Sequence, residues 1–311
     1  MRRTLAAVAC LAALLGLSPG TAGAADELPV TYNFLIGAVA AGYPFNASPP
    51  GANDWSCKPS AKHPRPVVLV HGTGGNKNTN WRTYAPLLKN HGYCVYSLTY
   101  GVVPNSPPII DQLGGFTSMK GSAQKLADFV RKVLRSTGAR KVDLLGHSQG
   151  TIMPSWYVKF LGGAQYVRNY ISLAPLWHGT KNGDTVGALS AVFGFDEDDA
   201  PVCTACAQFA AGARFMRQIR DGGPAVAGVR YTNIMTRFDE LVWPWHSGRQ
   251  EGMRNFVVQD YCSLDLSEHF EIASDPIGAA LVLNTLDPKR QAPIPCMPVL
   301  PFTGPLVNPT L

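Results

Sequence analysis

The stretch Lys141-Val142-Asp143-Leu144-Leu145-Gly146-His147-Ser148-Gln149-Gly150 decides the fold of this chain. A short apolar run leads into the pattern G-x-S-x-G, and residues 151–161 that follow have a helical pattern. A chain that reverses sharply from a strand into a helix strains the residue at the turn, and only glycine fits at the two flanking positions. The stretch therefore predicts a strand, a nucleophile elbow at Ser148, and a helix whose positive end lies at the serine.

Apolar runs alternate with helical patterns on both sides of this stretch. Residues 66–70 are almost all aliphatic, which is typical of a strand buried on both faces of a parallel sheet. An amphipathic pattern over 123–134 predicts a helix that Gly138 ends. The other predicted strands are 93–98, 170–173, 231–235 and 255–259. Two further helices are predicted, one that starts at Asn78 or Thr79 and a final one over 277–286. This alternation predicts an α/β fold with a mainly parallel central sheet flanked by helices.

The N-terminus has the pattern of a secretory signal peptide over residues 1–24. Arg2 and Arg3 precede an apolar stretch, 5–17, and small residues at 22–24 form a cleavage site. The apolar stretch is too short to span a bilayer, which takes about 20 residues. We therefore expect a secreted protein whose mature chain starts at Ala25.

The mature chain divides into four parts by composition. Residues 25–64 are rich in Pro, Gly and Ala and are expected to form an irregular arm, and residues 65–288 contain the alternating strands and helices. Within them, residues 174–229 separate two predicted strands by more than a simple crossover requires, which predicts a cap-like insertion over a pocket. Residues 289–311 form a Pro-rich C-terminal tail.

The charge of the chain argues against one class of partner, and its cysteines indicate an oxidising compartment. The chain of 311 residues has a formal net charge of +6, and its basic residues are scattered, so nucleic-acid binding is not supported. Six of the seven cysteines follow the signal peptide, and an even number in an exported chain predicts disulfides. We expect the pairs Cys57 with Cys94, Cys203 with Cys206, and Cys262 with Cys296. The Cys203-x-x-Cys206 spacing also occurs in redox motifs, but no thioredoxin-like pattern surrounds it, which favours a local clip.

A serine nucleophile needs a general base and a third group that orients that base. On a hydrolase sheet these groups follow in the order serine, acid, histidine. Of the histidines after Ser148, His269 follows the last predicted strand, where a base can reach back over the sheet. His246, in a loop with two tryptophans, is the alternative, and His178 is expected near the pocket mouth.

The orienting acid is expected directly after the predicted strand 231–235. Asp239 emerges there, at the carboxyl edge of the sheet, although aspartate is also common as a turn or capping residue. Its neighbour Glu240 is the alternative. The acidic run 196–199 lies in the insertion and has the character of a solvated loop.

Stabilisation of an oxyanion requires N–H donors at the developing charge. The N–H of Gln149 is fixed by the elbow, and the glycine-rich turn 71–76 after a buried strand either is a plain tight turn or supplies a second donor. Thr73 is the expected residue, with its hydroxyl as a third hydrogen-bond donor. Gly74 is the alternative.

Several motifs together resemble a known family. They are Asn53-Asp54-Trp55-Ser56-Cys57, Val70-His71-Gly72-Thr73, Gly92-Tyr93-Cys94, Gly146-His147-Ser148-Gln149-Gly150, and segments 174–180, 231–244 and 259–269. They look like the secreted bacterial lipases of lipase class 2, in the α/β-hydrolase superfamily. By this resemblance Ser148, Asp239 and His269 match the catalytic triad, and Thr73 and Gln149 match the oxyanion hole. It also implies hydrolysis of carboxylic esters of acyl lipids, with no organic cofactor.

The leading hypothesis is a secreted serine lipase or carboxylesterase that forms an acyl-enzyme. We expect a monomer that acts on an acyl ester or lipid, in solution or at a lipid–water interface, and we predict no metal ligands. An acyltransferase with the same intermediate and a non-catalytic binding protein of the same fold are the alternatives. The apolar residues proposed for the acyl-binding wall are Leu176, Trp177, Leu189, Val192, Phe193 and Phe195.

Overall fold

A parallel six-stranded sheet forms the centre of the computed structural model, which describes residues 27–41, 47–192 and 194–311. The predicted signal peptide, 1–24, lies outside the described residues. The strands are Val67–Val70 (β1), Val95–Leu98 (β2), Val142–His147 (β3), Val167–Leu173 (β4), Arg230–Met235 (β5) and Arg254–Val257 (β6). Their order in space is β2-β1-β3-β4-β5-β6, and every neighbouring pair is parallel. The predicted α/β fold with a mainly parallel sheet is confirmed.

Helices connect and cover these strands. The α-helices are Phe34–Ala40 (α1), Tyr84–Asn90 (α2), Met119–Thr137 (α3), Met153–Phe160 (α4), Lys181–Val192 (α5), Thr204–Gln208 (α6), Arg214–Arg220 (α7) and Pro276–Leu286 (α8). Short 3-10 turns span Ile110–Gln112, Ser148–Thr151, Gly163–Gln165, Trp245–Gly248, Val258–Asp260 and Glu271–Ala273.

The alternation of side chains along β1 divides the core into two layers. Val68 and Val70 pack with residues of α3 and α4 on one face, whereas Val67 and Leu69 pack with residues of α2 and α8 on the other. All four residues of β1 are buried, as the continuous aliphatic run predicts. The sheet is therefore covered on both faces, although the edge strand β6 stays partly exposed.

Two predicted helices differ from the observed ones at their starts. The helix expected from Asn78 or Thr79 begins at Tyr84, because the side-chain oxygen of Asn76 accepts the N–H groups of both Asn78 and Thr79 and holds them in a turn. The helix expected over 151–161 begins as the 3-10 turn Ser148–Thr151 and becomes α-helical at Met153. The helix over 123–134 is confirmed within α3, and Gly138 ends it at φ 73°.

The chain ends and the insertion are more structured than their composition suggests. The expected irregular arm contains α1, whose N-cap Asn33 accepts the N–H of Ile36. The expected tail contains two short antiparallel strands, Val299–Leu300 (β7) and Gly304–Pro305 (β8). The insertion contains α5, α6 and α7, and α5 lies so close to the segment after α6 that a Cβ on Gly183 would lie 2.6 Å from the carbonyl carbon of Phe209.

The structure contains the three predicted disulfides, Cys57–Cys94, Cys203–Cys206 and Cys262–Cys296. The first ties the N-terminal arm to the start of β2, the second closes the first turn of α6, and the third ties the tail to the turn after β6. The Cys57–Cys94 and Cys262–Cys296 disulfides therefore each join an irregular segment to a part of the chain that lies next to a strand of the sheet.

The described ranges contain neither a membrane-spanning helix nor a cluster of metal-ligating side chains. None of the helices there combines the length and the apolar character needed to cross a membrane. Nowhere in the same ranges do three or more His, Cys, Asp or Glu side chains converge on a position for a metal ion.

Removal of a disulfide should destabilise the fold more when the disulfide closes a longer loop. We expect Cys262→Ser with Cys296→Ser to lower the free energy of unfolding by roughly 3–4 kcal/mol, because 34 residues separate the two cysteines. The pair Cys203→Ser with Cys206→Ser should cost roughly 2 kcal/mol or less, because only 3 residues separate them. Urea unfolding of both double variants measures this order, and the reverse order would contradict it.

Candidate active site

The turn at Ser148 brings three backbone segments into close contact. A Cβ on Gly146 would lie 1.9 Å from the carbonyl oxygen of Gly150, and a Cβ on Gly150 would lie 1.9 Å from that of Val70. Neither position accepts any larger residue. Ser148 between them has φ 53°, in the left-handed region that costs a non-glycine residue conformational energy. This is the strained strand-to-helix turn that the motif predicts.

The three residues predicted as a catalytic triad meet at this turn. His269 Nε2 lies 2.9 Å from Ser148 Oγ, and His269 Nδ1 lies 2.8 Å from Asp239 Oδ1. Asp239 follows β5, and His269 lies between β6 and α8. Because the strands are parallel, their carboxyl ends meet at one edge of the sheet, and this edge brings together residues that are 30 and 121 positions apart.

Asp239 also organises its own loop. Its Oδ1 accepts the backbone N–H groups of Leu241 at 3.1 Å and Val242 at 2.7 Å. The interpretation of this residue as a turn aspartate and its interpretation as the partner of the histidine are thus both correct. The hydrogen bonds fix the carboxylate against the imidazole.

The charge environment favours a protonated His269. Burial by itself lowers the pKa of the ring, but the charge of Asp239 and its hydrogen bond raise it, and the carboxylates of Glu240 and Glu268 add to this. The net result is a pKa above the usual value of 6.5. A ring in this position is a stronger base than a free histidine, and the cation that it forms is stabilised.

The alternative acid and the alternative histidines lie elsewhere. Glu240 Oε2 accepts the backbone N–H of His269 at 3.2 Å, so this carboxylate holds the main chain and not the ring. The His246 ring lies against that of Trp245, with centroids 5.7 Å apart. The N–H of His178 donates to the carbonyl of Ser247, and the expectation that His178 lies at the pocket mouth is wrong, since it is not among the described residues that line the cavity.

His147, between the first glycine and the serine, is a site residue that sequence reasoning did not single out. Its Nε2 lies 2.8 Å from the carbonyl oxygen of His269, and its Nδ1 lies 3.2 Å from Asn80 Oδ1. Asn80 Oδ1 in turn accepts the N–H of Gly72 at 3.1 Å. Burial, together with the nearby His269, lowers the pKa of His147 to about 3, so the ring is neutral. A neutral imidazole has a single N–H and donates to only one of these two oxygens, and the ring lies packed between the loop that carries His269 and the turn after β1.

Both glycine N–H groups that follow Thr73 in the turn after β1 are already hydrogen-bonded. The N–H of Gly74 donates to the carbonyl of Gly114 at 2.8 Å, and that of Gly75 donates to the carbonyl of Gly72 at 3.2 Å. Gly74, the alternative oxyanion donor, is therefore already engaged. The backbone N–H of Thr73 is the remaining candidate in this turn.

The hydroxyl of Thr73 makes a different hydrogen bond from the one that the sequence predicts. It donates to Gln149 Oε1 at 2.8 Å, so in this conformation its proton is not available to a substrate oxygen. The bond instead joins the side chains of the two residues whose backbone N–H groups are the predicted donors. It therefore holds the turn after β1 against the elbow.

A glycine pair in the loop between β2 and α3 supports this arrangement and was also missed. A Cβ on Gly115 would lie 2.6 Å from Gln149 Oε1 and 2.9 Å from the Cα of Thr73. A Cβ on Gly114 would lie 2.4 Å from the carbonyl oxygen of Tyr100. The Gly-Gly dipeptide was the available signal for such a close approach.

A cavity of about 640 Å³ opens at Ser148. Its apolar lining is provided by Phe34, Ala38, Ile109, Leu113, Leu176, Phe209, Leu241, Val242 and Phe270. None of the described residues around it is Asp, Glu, Lys or Arg. The cavity therefore suits an uncharged, largely hydrocarbon group better than a charged one.

The predicted acyl-binding wall is only partly correct. Leu176 lines the cavity, but Trp177 is buried and donates to Asn233 Oδ1, and Val192 and Phe195 are exposed on the insertion. Phe193 and the side chain of Leu189 lie outside the described part of the chain. The wall differs because α1 and the loop around Ile109, both distant from the insertion in sequence, supply much of it.

Solved structures of two lipases share the fold. The crystal structure of Aspergillus fumigatus lipase B matches with a TM-score of 0.58 at 19% identity, over 80% of this chain and 57% of that chain. Mature Bacillus licheniformis lipase BlEst2 matches with a TM-score of 0.52 at 18% identity, over 73% of this chain and 92% of that chain. At these identities the likeness shows the α/β-hydrolase fold alone.

Curated relatives match a shorter segment. The triacylglycerol lipase of Pseudarthrobacter phenanthrenivorans is 38% identical over 93 residues, which is 27% of this chain and 25% of that protein. The triacylglycerol lipase of Burkholderia plantarii is 38% identical over 93 residues, which is 22% of its length. The match thus spans about a quarter of the length of either relative.

A family model matches most of the chain. The family described as Lipase (class 2) matches residues 64–280, a range that includes the turn after β1, the elbow, Asp239 and His269. This range is more than half of the sequence. The chain therefore belongs to the Lipase (class 2) family.

Proposed function

We propose that this chain is a secreted serine ester hydrolase, a lipase or carboxylesterase that cleaves carboxylic esters of acyl lipids through an acyl-enzyme. The observation that carries the proposal is the continuous hydrogen-bonded series from Ser148 Oγ through the His269 ring to Asp239, which opens into an uncharged apolar cavity. Membership of the lipase family supports it, as do the triacylglycerol lipases among the curated relatives.

In the first half of the reaction, Ser148 Oγ attacks the ester carbonyl and His269 Nε2 accepts its proton. The separation of 2.9 Å between these atoms is within hydrogen-bond reach, so the proton transfers directly. Asp239 stabilises the imidazolium that forms. His269 then donates the proton to the oxygen of the leaving alcohol, and the acyl group stays on Ser148.

The negative charge on the carbonyl oxygen requires donors that are already in place. We assign this role to the backbone N–H groups of Gln149 and Thr73, the first because it follows the elbow and the second because its neighbours in the turn are engaged. Each such donor contributes about 3 kcal/mol in enzymes where it has been removed. The hydrogen bond from the Thr73 hydroxyl to Gln149 keeps the two residues together.

In the second half, water replaces the alcohol. His269 removes a proton from a water molecule, the hydroxide attacks the acyl carbon, and the tetrahedral intermediate collapses to the free acid and Ser148. The proton then returns from His269 to the serine oxygen.

Secretion is supported by the pattern of residues 1–24 and by the three disulfides, which persist in oxidising compartments.

Removal of the nucleophile should abolish turnover. We expect Ser148→Ala to lower kcat on p-nitrophenyl butyrate by about 10⁴–10⁶, because the hydroxyl forms the covalent intermediate. Ser106→Ala, at a half-buried loop position that is not among the described residues lining the cavity, is the matched control and should retain full activity. An activity of Ser148→Ala close to that of the parent protein would refute the proposal.

The acid can be assigned by a pair of neighbouring substitutions. Asp239→Asn should lower kcat by about 10⁴, because the amide keeps the loop hydrogen bonds but no longer stabilises the imidazolium. Glu240→Gln should change kcat by less than about tenfold, since its amide oxygen still accepts the N–H of His269. Equal losses in the two variants would show that the assignment of Asp239 is wrong.

The pH dependence should report the raised pKa of His269. The base works only when neutral, so kcat/KM should rise with pH through a midpoint above 6.5. Glu240→Gln should move the midpoint to lower pH, because it removes one of the negative charges that raise this pKa. Initial rates between about pH 5 and about pH 9 give both midpoints. An unchanged midpoint in the variant would contradict this account.

A further inference from the structure

Helix α1 lies outside residues 64–280, the range that matches the family, and yet it forms one wall of the cavity. Phe34 and Ala38, one turn apart, line the cavity. Between them on the opposite face, Leu35 and Ile36 are 53% and 58% exposed. The helix therefore has an inner face toward the cavity and an outer face toward solvent.

The first turn of α1 is attached beside the catalytic residues. The Phe34 ring lies 5.6 Å from that of Phe270 and 6.3 Å from that of His147, measured between centroids. The N–H of Phe34 donates to Glu271 Oε2 at 3.0 Å. Phe34 thus lies close to the predicted reacting atoms.

The other end of α1 is attached to the turn that follows β1. Asn78 Nδ2 donates to the carbonyl of Ala41 at 3.2 Å, and a Cβ on Gly37 would lie 3.0 Å from the Cβ of Arg82. Thr79 and Asn80 in the same segment also line the cavity. The helix is therefore held at both ends along the side of the cavity.

The two inward residues differ in size. Residues four apart in a helix are on the same face and are separated by about 6 Å along the axis. Phe34 fills the space beside the reacting centre, whereas the single methyl of Ala38 leaves the next part of the wall open. Ile109 and Leu113 also line the cavity, and none of its described lining residues is Asp, Glu, Lys or Arg, so a saturated hydrocarbon chain suits it.

We propose that α1 sets the length of the hydrocarbon chain that the cavity accepts, and that Ala38 is the residue that determines this length. The inference rests on the proposed ester hydrolysis. A larger side chain at position 38 occupies the space along the helix and stops the substrate chain one turn beyond Phe34. Short chains end before this point and are unaffected.

The test compares Ala38→Phe with Val39→Phe, which adds a ring on the outer face, at a side chain that is 72% exposed. One series of p-nitrophenyl esters varies the acyl chain from acetyl to palmitoyl, and one series of alkyl butyrates varies the alcohol from methyl to dodecyl. Relative to its own rate on the shortest substrates, Ala38→Phe should lower kcat/KM on longer ones by up to about fourfold for each methylene that no longer fits. Val39→Phe should follow the parent protein in both series.

A loss in the p-nitrophenyl ester series shows that the acyl chain lies along α1, and a loss in the alkyl butyrate series shows that the alcohol does. A loss on the longer members of either series supports the proposal. Equal chain-length profiles of Ala38→Phe and the parent protein, or a loss that is the same for all lengths, would overturn it. Ala38→Leu, a smaller change with a good helix former, should shift the profile in the same direction and serves if Ala38→Phe does not fold.

Failure of this inference can be distinguished from failure of the proposed function. If Ser148→Ala keeps its activity on the acetyl ester, the proposed hydrolysis is wrong whatever the chain-length profiles are. If that activity depends on Ser148 and the profiles do not change, only the role of α1 is refuted.

Discussion

The close approach of three backbone segments at the elbow is the constraint on which the rest of the site depends. Gly146, Gly150 and the carbonyl of Val70 meet at distances that exclude a Cβ, which is possible because β1 and β3 are neighbours in the sheet. This contact leaves Ser148 at a positive φ, above the carboxyl ends of the strands. The strain is borne by a sheet that is buried on both faces, where the surrounding packing determines the backbone conformation.

Two histidine rings of this site show how contacts determine charge. The rings of His147 and His269 are 5.1 Å apart, and both are buried. The pKa of His147 falls to about 3, because burial disfavours its cation and the nearby His269 lowers it further. That of His269 rises, because Asp239, Glu240 and Glu268 together outweigh the effect of burial. One ring can therefore serve as a fixed hydrogen-bonding link while the other exchanges protons.

The cavity is lined by segments inside the range that matches the family and by one segment outside it. The elbow and the turn after β1 belong to the matched range, as does the insertion, whereas α1 does not. The carboxylates that flank His269 connect the chain ends to the site: Glu271 accepts the N–H of Phe34, and Glu268 accepts that of Phe302. The loop of the histidine thus attaches both the N-terminal helix and the C-terminal tail, and the shape of the cavity depends on segments outside the core sheet.

The sequence by itself determined the alternation of strands and helices along the chain and the elbow, because these depend on local patterns: aliphatic runs, helical periods and flanking glycines. It predicted which residues would meet the elbow from their places after the strands. It did not determine the disulfide pairs, because six cysteines allow 15 pairings and the sequence does not choose among them. It did not determine α1, whose seven residues are too few for a clear helical period. Nor did it determine the separate contacts of Asp239 and Glu240 with one histidine, or the role of Ala38 as part of a wall. Only the tertiary structure decided these, because each depends on side chains that are distant in sequence and become neighbours when the sheet and its covering helices pack.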